Sequence, residues 1–166
     1  MRKVVFLIIV LFISISSFSQ NEKLKVVFIY NFTKYISWPA AQSQGDFVIG
    51  VLGSSAMSSA LQAYVGSRKV GTRSIKVVDF ASAGGLQNCH IVYVPGSQNG
   101  SLGSVISKYK SQPVVVVADS PGAIGSGAAI NFVMAGGKQN FEVSKGNLEK
   151  NGLKVNSQLL DLGITK

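Results

Sequence analysis

The sequence predicts an α/β fold: a three-layer α/β/α sandwich with a mixed, mostly parallel sheet and an antiparallel edge hairpin. Three observations carry that expectation. Short, nearly continuous apolar runs, such as 47–53 and 113–118, read as strands buried on both faces. Between them lie segments whose apolar residues recur three and four apart, which is helical spacing. Near the C-terminal end, two strand-like runs are joined by Gly136-Gly137, a hairpin signal. Strands alternating with helices imply a sheet covered on both faces.

The chain opens with Arg2 and Lys3, an apolar run over 4–15, and the small residues Ser17 and Ser19 around Phe18. That pattern predicts a signal peptide, residues 1–20, cleaved near Ser19 or Gln20. The run is short for a bilayer span, and an uncleaved anchor is the alternative. No cysteine stands at the cleavage site, which argues against a lipoprotein. Residues 21–166 then form one domain, long enough to bury a core.

The mature part begins with 24–39, LKVVFIYNFTKYISWP. Val27, Ile29, Tyr30, Phe32, Tyr35, Ile36 and Trp38 trace one helical face, opposite Lys25, Asn31 and Lys34. Pro39 is expected to end this helix at Trp38. Residues 40–46 form a polar loop, and 47–53 the first strand. Ser54 or Ser55 can cap the next helix, which carries Met57, Leu61 and Tyr64-Val65 on one side. A turn at Gly66-Ser67 precedes a strand over 74–80, and a buried strand is expected over 89–94. A helix follows over 101–110, from Leu102, Val105, Ile106 and Tyr109. The strand 113–118 ends at the turn Asp119-Ser120-Pro121-Gly122. The hairpin 129–143 and a tail largely helical from Asn156 complete the chain.

Composition narrows function. Removing Arg2 and Lys3 from the 16 Lys and Arg leaves 14 against 7 Asp and Glu, a net of +7. The basic residues are scattered singly or in pairs, as at Arg68-Lys69, without the interleaving that marks a nucleic-acid surface. The charge reads as solubility and a preference for acidic partners. The one cysteine, Cys89, lies in the apolar run CHIVYV and reads as a small buried hydrophobe; a reactive thiol or an intermolecular disulfide are the sharper alternatives. Neighbours on a strand face opposite ways, so Cys89 and the single histidine, His90, do not pair as thiolate and imidazole. A triad from His90, Asp119 and a serine lacks a G-x-S-x-G elbow. The glycines of 121–127 lack the Lys-Ser/Thr of a phosphate loop, and Gly50-Val51-Leu52-Gly53 reads first as a tight strand-to-helix turn. No metal or cofactor set is expected. The aromatics of the first helix either anchor it to the core or leave a subset as an interaction patch.

The opening motif F-I-Y-N-F-T-K-Y-I-S-W-P, 28–39, resembles that of the YfiR/HmsC-like periplasmic proteins. Further pieces agree in order: 47–53 ending in Leu-Gly, Gly71-Thr72-Arg73, 89–94, 115–119, Phe141-Glu142-Val143 and 157–162. The resemblance spans nearly the whole mature chain. It implies an exported α/β sandwich that binds other proteins and is not an enzyme. It implies restraint of an inner-membrane diguanylate cyclase from the periplasmic side, which lowers cyclic-di-GMP and biofilm formation. An outer-membrane lipoprotein as a second partner and a homodimer are also implied. The chain departs from the family pattern at the lone Cys89 and at Asn140 and Ser144, so disulfides and ligand contacts of relatives are not carried over. Tyr30, Lys34, Tyr35, Trp38 and Arg73 are the expected partner- or ligand-binding residues. A rival reading is a periplasmic binder of an anionic or aromatic small molecule, touching Arg73 and the Gly50–Gly53 turn. A hydrolase built on His90 is the third.

Overall fold

A computed structural model describes residues 20–166. The expected signal peptide lies outside the described residues, apart from Gln20. The first helix, α1, is helical over 20–35 of the described residues. It hands over directly to a two-residue strand, β1 (Ile36–Ser37), which pairs antiparallel with β9 (Lys154–Val155). The expected last helical turn to Trp38 is therefore absent. Tyr35 offers its carbonyl to the Asn156 amide at 2.8 Å, so the chain leaves the helix to make tertiary backbone bonds before Pro39 is reached.

The other elements in order are β2 (Phe47–Leu52), α2 (Ser55–Val65), β3 (Lys69–Val70), β4 (Arg73–Phe80), β5 (Ile91–Val94), α3 (Leu102–Lys108), β6 (Val115–Ala118) and α4 (Ala123–Ser126). They continue with β7 (Ile130–Ala135), β8 (Lys138–Val143), α5 (Lys145–Lys150), then after β9 the helix α6 (Ser157–Leu162) and β10 (Ile164–Thr165). Eight strands form one mixed sheet in the order β10-β8-β7-β6-β5-β2-β4-β3. Its centre, from β4 through β7, is parallel. The hairpin β7–β8 is antiparallel, and Gly136 and Gly137 both take positive φ, as a two-residue hairpin turn requires. The short β10 lies outside β8, parallel to it.

The central strands are apolar on both faces and feed two cores. Ile49, Val51, Ile91, Tyr93, Val115 and Val117 face the core under α1 and α2. Val92, Val94, Val116 and Ala118 face the core under α3 and α4. The three layers follow from that alternation. On the first face, Phe28 and Phe32 of α1 pack edge-on against Phe141, at ring separations of 5.3 and 5.1 Å. Ser54 caps α2 by accepting from the Met57 amide, and Met57, Leu61 and Val65 are the buried stripe.

Crossovers run outward in opposite directions from β2 and β5: β2 leads through α2 to β4, and β5 leads through α3 to β6 on the other face. The carboxyl ends of β2 and β5 therefore flank the topological switch point, where open α/β sheets form a crevice.

Candidate functional site

Tyr30 and Lys34 lie one turn apart on α1, facing α2. The Tyr30 ring stands edge-on to Tyr64, 5.8 Å between centroids. Lys34 Nζ lies 4.8 Å above the Tyr30 ring. The Arg68 guanidinium lies 4.4 Å from the Tyr64 ring and 5.1 Å from that of Tyr30. The bodies of the rings serve the core while their outer faces hold two cations. Sequence reasoning found Tyr30 and Lys34 but missed Tyr64 and Arg68. Their spacing of four on and just past α2 was the available signal.

Trp38 and Arg73 meet elsewhere, at the amino ends of β2 and β5. Trp38 stacks edge-on with Phe47 at 4.9 Å and donates from Nε1 to the His90 carbonyl at 3.3 Å. Arg73 donates to the carbonyls of Gln42 (2.6 Å), Gly45 (3.1 Å) and Asp46 (3.4 Å). Its guanidinium also covers the Phe47 ring at 5.1 Å and approaches His90 Nε2 at 2.7 Å. These bonds make Arg73 the fastener of the loop between β1 and β2. Tyr35 belongs to neither group: its half-buried side chain packs on the first core. The five candidates thus divide into a pair on the α1–α2 seam, a pair under the loop, and one residue between.

Arg73 and the Gly50–Gly53 turn, joined in the small-molecule reading, lie at opposite ends of the sheet. Arg73 precedes the register pair Ile75–Phe47, whereas Gly50, Val51 and Leu52 are the last residues of β2, level with Val78, Asp79 and Phe80, and only Gly53 lies beyond the strand. The Gly53 amide donates to the Phe80 carbonyl at 2.7 Å, so it serves the sheet.

A site absent from the sequence reading sits at the switch point. Lys25 of α1 is buried, and its ammonium contacts Asp119 at 2.5 Å and Glu22 at 3.2 Å. Burial opposes that charge, but the hydrogen bond and charge of Asp119, with Glu22 behind it, hold the ammonium above its ordinary range. The Tyr93 hydroxyl donates to the same Asp119 oxygen at 3.3 Å, and burial followed by the carboxylate charges pushes its ionisation far up. Two concavities, of about 380 and 470 Å³, open on either side of this ion pair. One is bounded by Ser54 and Ser97, the other by Ser120 and Phe132. Asp119 directly follows the most strand-like run of the chain, a position that projects from the carboxyl end of a parallel strand. Lys25 reads from sequence as part of the polar face, which conceals it.

His90 and Asp119 do not form a catalytic pair, because His90 precedes β5 and Asp119 follows β6, at opposite ends of parallel strands. His90 Nδ1 instead accepts from the Val48 amide at 3.0 Å. Cys89 is buried on the α3 face, and burial pushes its thiol up, away from the reactive thiolate. Among the described residues no group of three His, Cys, Asp or Glu could hold a metal ion. No described helix is long and apolar enough to cross a membrane.

Compared with known proteins, residues 22–164 match the family model described as DUF4154, YfiR/HmsC-like. No curated protein matches the chain.

Proposed function

The chain belongs to the YfiR/HmsC-like family, and from that premise we propose that it is a periplasmic regulator that acts by binding other proteins. In this proposal residues 1–20 are a cleaved signal peptide, and 21–166 are the mature domain. The target is the periplasmic part of an inner-membrane diguanylate cyclase, held inactive so that cyclic-di-GMP output and biofilm formation fall. An outer-membrane lipoprotein relieves the restraint by capturing the regulator, and the working form is a homodimer.

The family match over 143 of 166 residues (22 through 164) is the observation that carries this reading. The side chains support it: the histidine and the arginine most suggestive of chemistry are engaged in holding the fold, while Lys34 and Arg68 stand exposed over aromatic rings. Aromatic and arginine side chains together are typical of binding hot spots.

The test is a titration of the purified mature protein into the periplasmic domains of the membrane diguanylate cyclases of its own genome, followed by calorimetry. One such domain is expected to bind, and deleting the gene should raise cellular cyclic-di-GMP. If no cyclase domain binds and cyclic-di-GMP stays level, the regulatory proposal falls.

One observation favours the rival small-molecule reading, now relocated: the crevice beside Lys25 and Asp119. Stabilisation in a thermal-shift screen of small ligands, lost with Asp119→Asn, would speak for it.

A further inference from the structure

The seam between α1 and α2 presents positive charge without acidic neighbours to neutralise it. Lys23, Val27, Tyr30 and Lys34 recur at spacings of four, three and four, so they form one stripe along α1. Beside this stripe runs α2, whose sequence SAMSSALQAYV carries no charge. Beyond its end stand Arg68 and Lys69. Lys23, Lys34, Arg68 and Lys69 are all exposed, and none of the four has a salt-bridge partner among the described residues.

The nearest acids are directed elsewhere. Glu22 faces Lys25 in the crevice, Asp79 borders the opposite flank of α2, beside Ser59 and Gln62, and Asp46, at the amino end of β2, acts on Arg73. The two helices run side by side in the same direction, with Glu22 near Ala56 at one end and Tyr30 near Tyr64 further along. The furrow between them has the half-buried Ala60 and Tyr64 on its α2 side, and Tyr30 lies buried beneath Lys34 and Arg68.

We propose that this furrow docks an acidic segment of a protein partner, its carboxylates meeting Lys34 and Arg68 and its apolar side chains resting on the half-buried Tyr64. Charge complementarity selects the occupant, because Lys23, Lys34 and Arg68, unpaired among the described residues, repel a basic surface and steer an acidic one, while Lys69, paired with Ser74, points to the other face of the sheet. The rings hold the cations in place before binding, so fewer rotamers are lost when the carboxylates arrive. An arginine over a half-buried tyrosine at the centre, with lysines at the margin, matches the composition of an interface core and its rim. This inference deepens the protein-binding proposal and rests on it, supplying the face and the chemistry of the partner.

The experiment uses the mature protein and a fluorescently labelled oligoglutamate peptide, with binding read as anisotropy at low and raised salt. Binding is expected, and it should weaken with salt. Lys34→Glu with Arg68→Glu should reduce affinity by at least about tenfold, and the neutral pair Lys34→Gln with Arg68→Gln by less. Lys108→Glu with Lys110→Glu makes the same charge change on the α3 face and should leave affinity within about twofold of the wild type. Circular dichroism melts establish that each variant is folded.

Equal losses in both glutamate variants would reduce the effect to net charge and overturn the proposal. So would absence of peptide binding, or binding only to anionic phospholipid vesicles. The two functional claims separate cleanly. A cyclase domain that binds the wild type and the Lys34/Arg68 variants equally refutes the furrow and leaves the regulator. A furrow that binds oligoglutamate while no cyclase domain binds refutes the cyclase target and leaves the furrow.

Discussion

At His90 the sheet and the loop before it meet through a single imidazole. Its Nδ1 faces the Val48 amide at 3.0 Å, and its Nε2 faces the Gln42 carbonyl at 3.2 Å and the Arg73 guanidinium at 2.7 Å. With Nδ1 accepting from the Val48 amide, the neutral ring carries its proton on Nε2, and a second proton, on Nδ1, would meet that amide donor. Burial first, then the Arg73 charge, holds the imidazole below its ordinary value. About a unit or more above the ordinary histidine value of about 6.5, the residue is neutral in folded and unfolded chains alike and has no effect. As pH falls below that, the unfolded chain takes up a proton that the native site resists, so stability declines until the native site is protonated too. The urea midpoint should therefore drop between about pH 7.5 and 5.5, and should drop less in His90→Gln, which takes up no proton. An equal drop in both proteins would remove His90 from the account.

Among the elements, β2 illustrates what a pattern can and cannot reveal. Its apolar run announced a strand buried on both faces, and register with β4 and β5 bears that out. The glycine inside it reads from sequence as the start of a tight strand-to-helix turn, with an anion-binding turn as the alternative. In place, a side chain at Gly50 would meet Cys89 Sγ at 2.9 Å and the Phe80 ring at 3.1 Å, so the glycine lets Cys89, just before β5, and Phe80 of β4 pack over it. Gly50→Ala should cost about 1–3 kcal/mol by overpacking, read from denaturant melts. Removing the obstructing sulfur should recover part of the loss, so Gly50→Ala with Cys89→Ala should be less destabilised than the two single changes combined. Strict additivity would place the strain elsewhere. The long elements were legible because each buries an apolar stripe of its own. The missed ones, α4, α5, β3, β10 and the β1–β9 ribbon, are six residues or fewer, and tertiary bonds define them more than propensity does. Ile36 and Ser37 continue a helical pattern in sequence, yet pair with residues 154–155 because those are brought alongside.

At the scale of the whole molecule, the same strands wall both cores. Ile91 and Tyr93 point toward α1 while Val92 and Val94 point toward α3, so neither helical layer can be lost without stripping the other's wall. This also explains why the candidate sites were only partly visible in sequence. Tyr30 with Lys34 lie on one helix and could be paired by spacing, whereas Lys25 meets Asp119 across 94 positions of chain, and only the sheet order brings them together. The shared walls predict one cooperative transition. Trp38, the single tryptophan, reports the α1 face through its contacts with Phe47 and His90. Leu102 is buried on the α3 face, in the other core. Leu102→Ala should cost about 2–5 kcal/mol through the cavity it leaves. The Trp38 fluorescence midpoint should shift by as much as the helical circular dichroism midpoint, although the tryptophan touches nothing that was changed. A fluorescence transition that stays put while the helical signal moves would show that the two layers unfold separately, and that the sheet does not couple them.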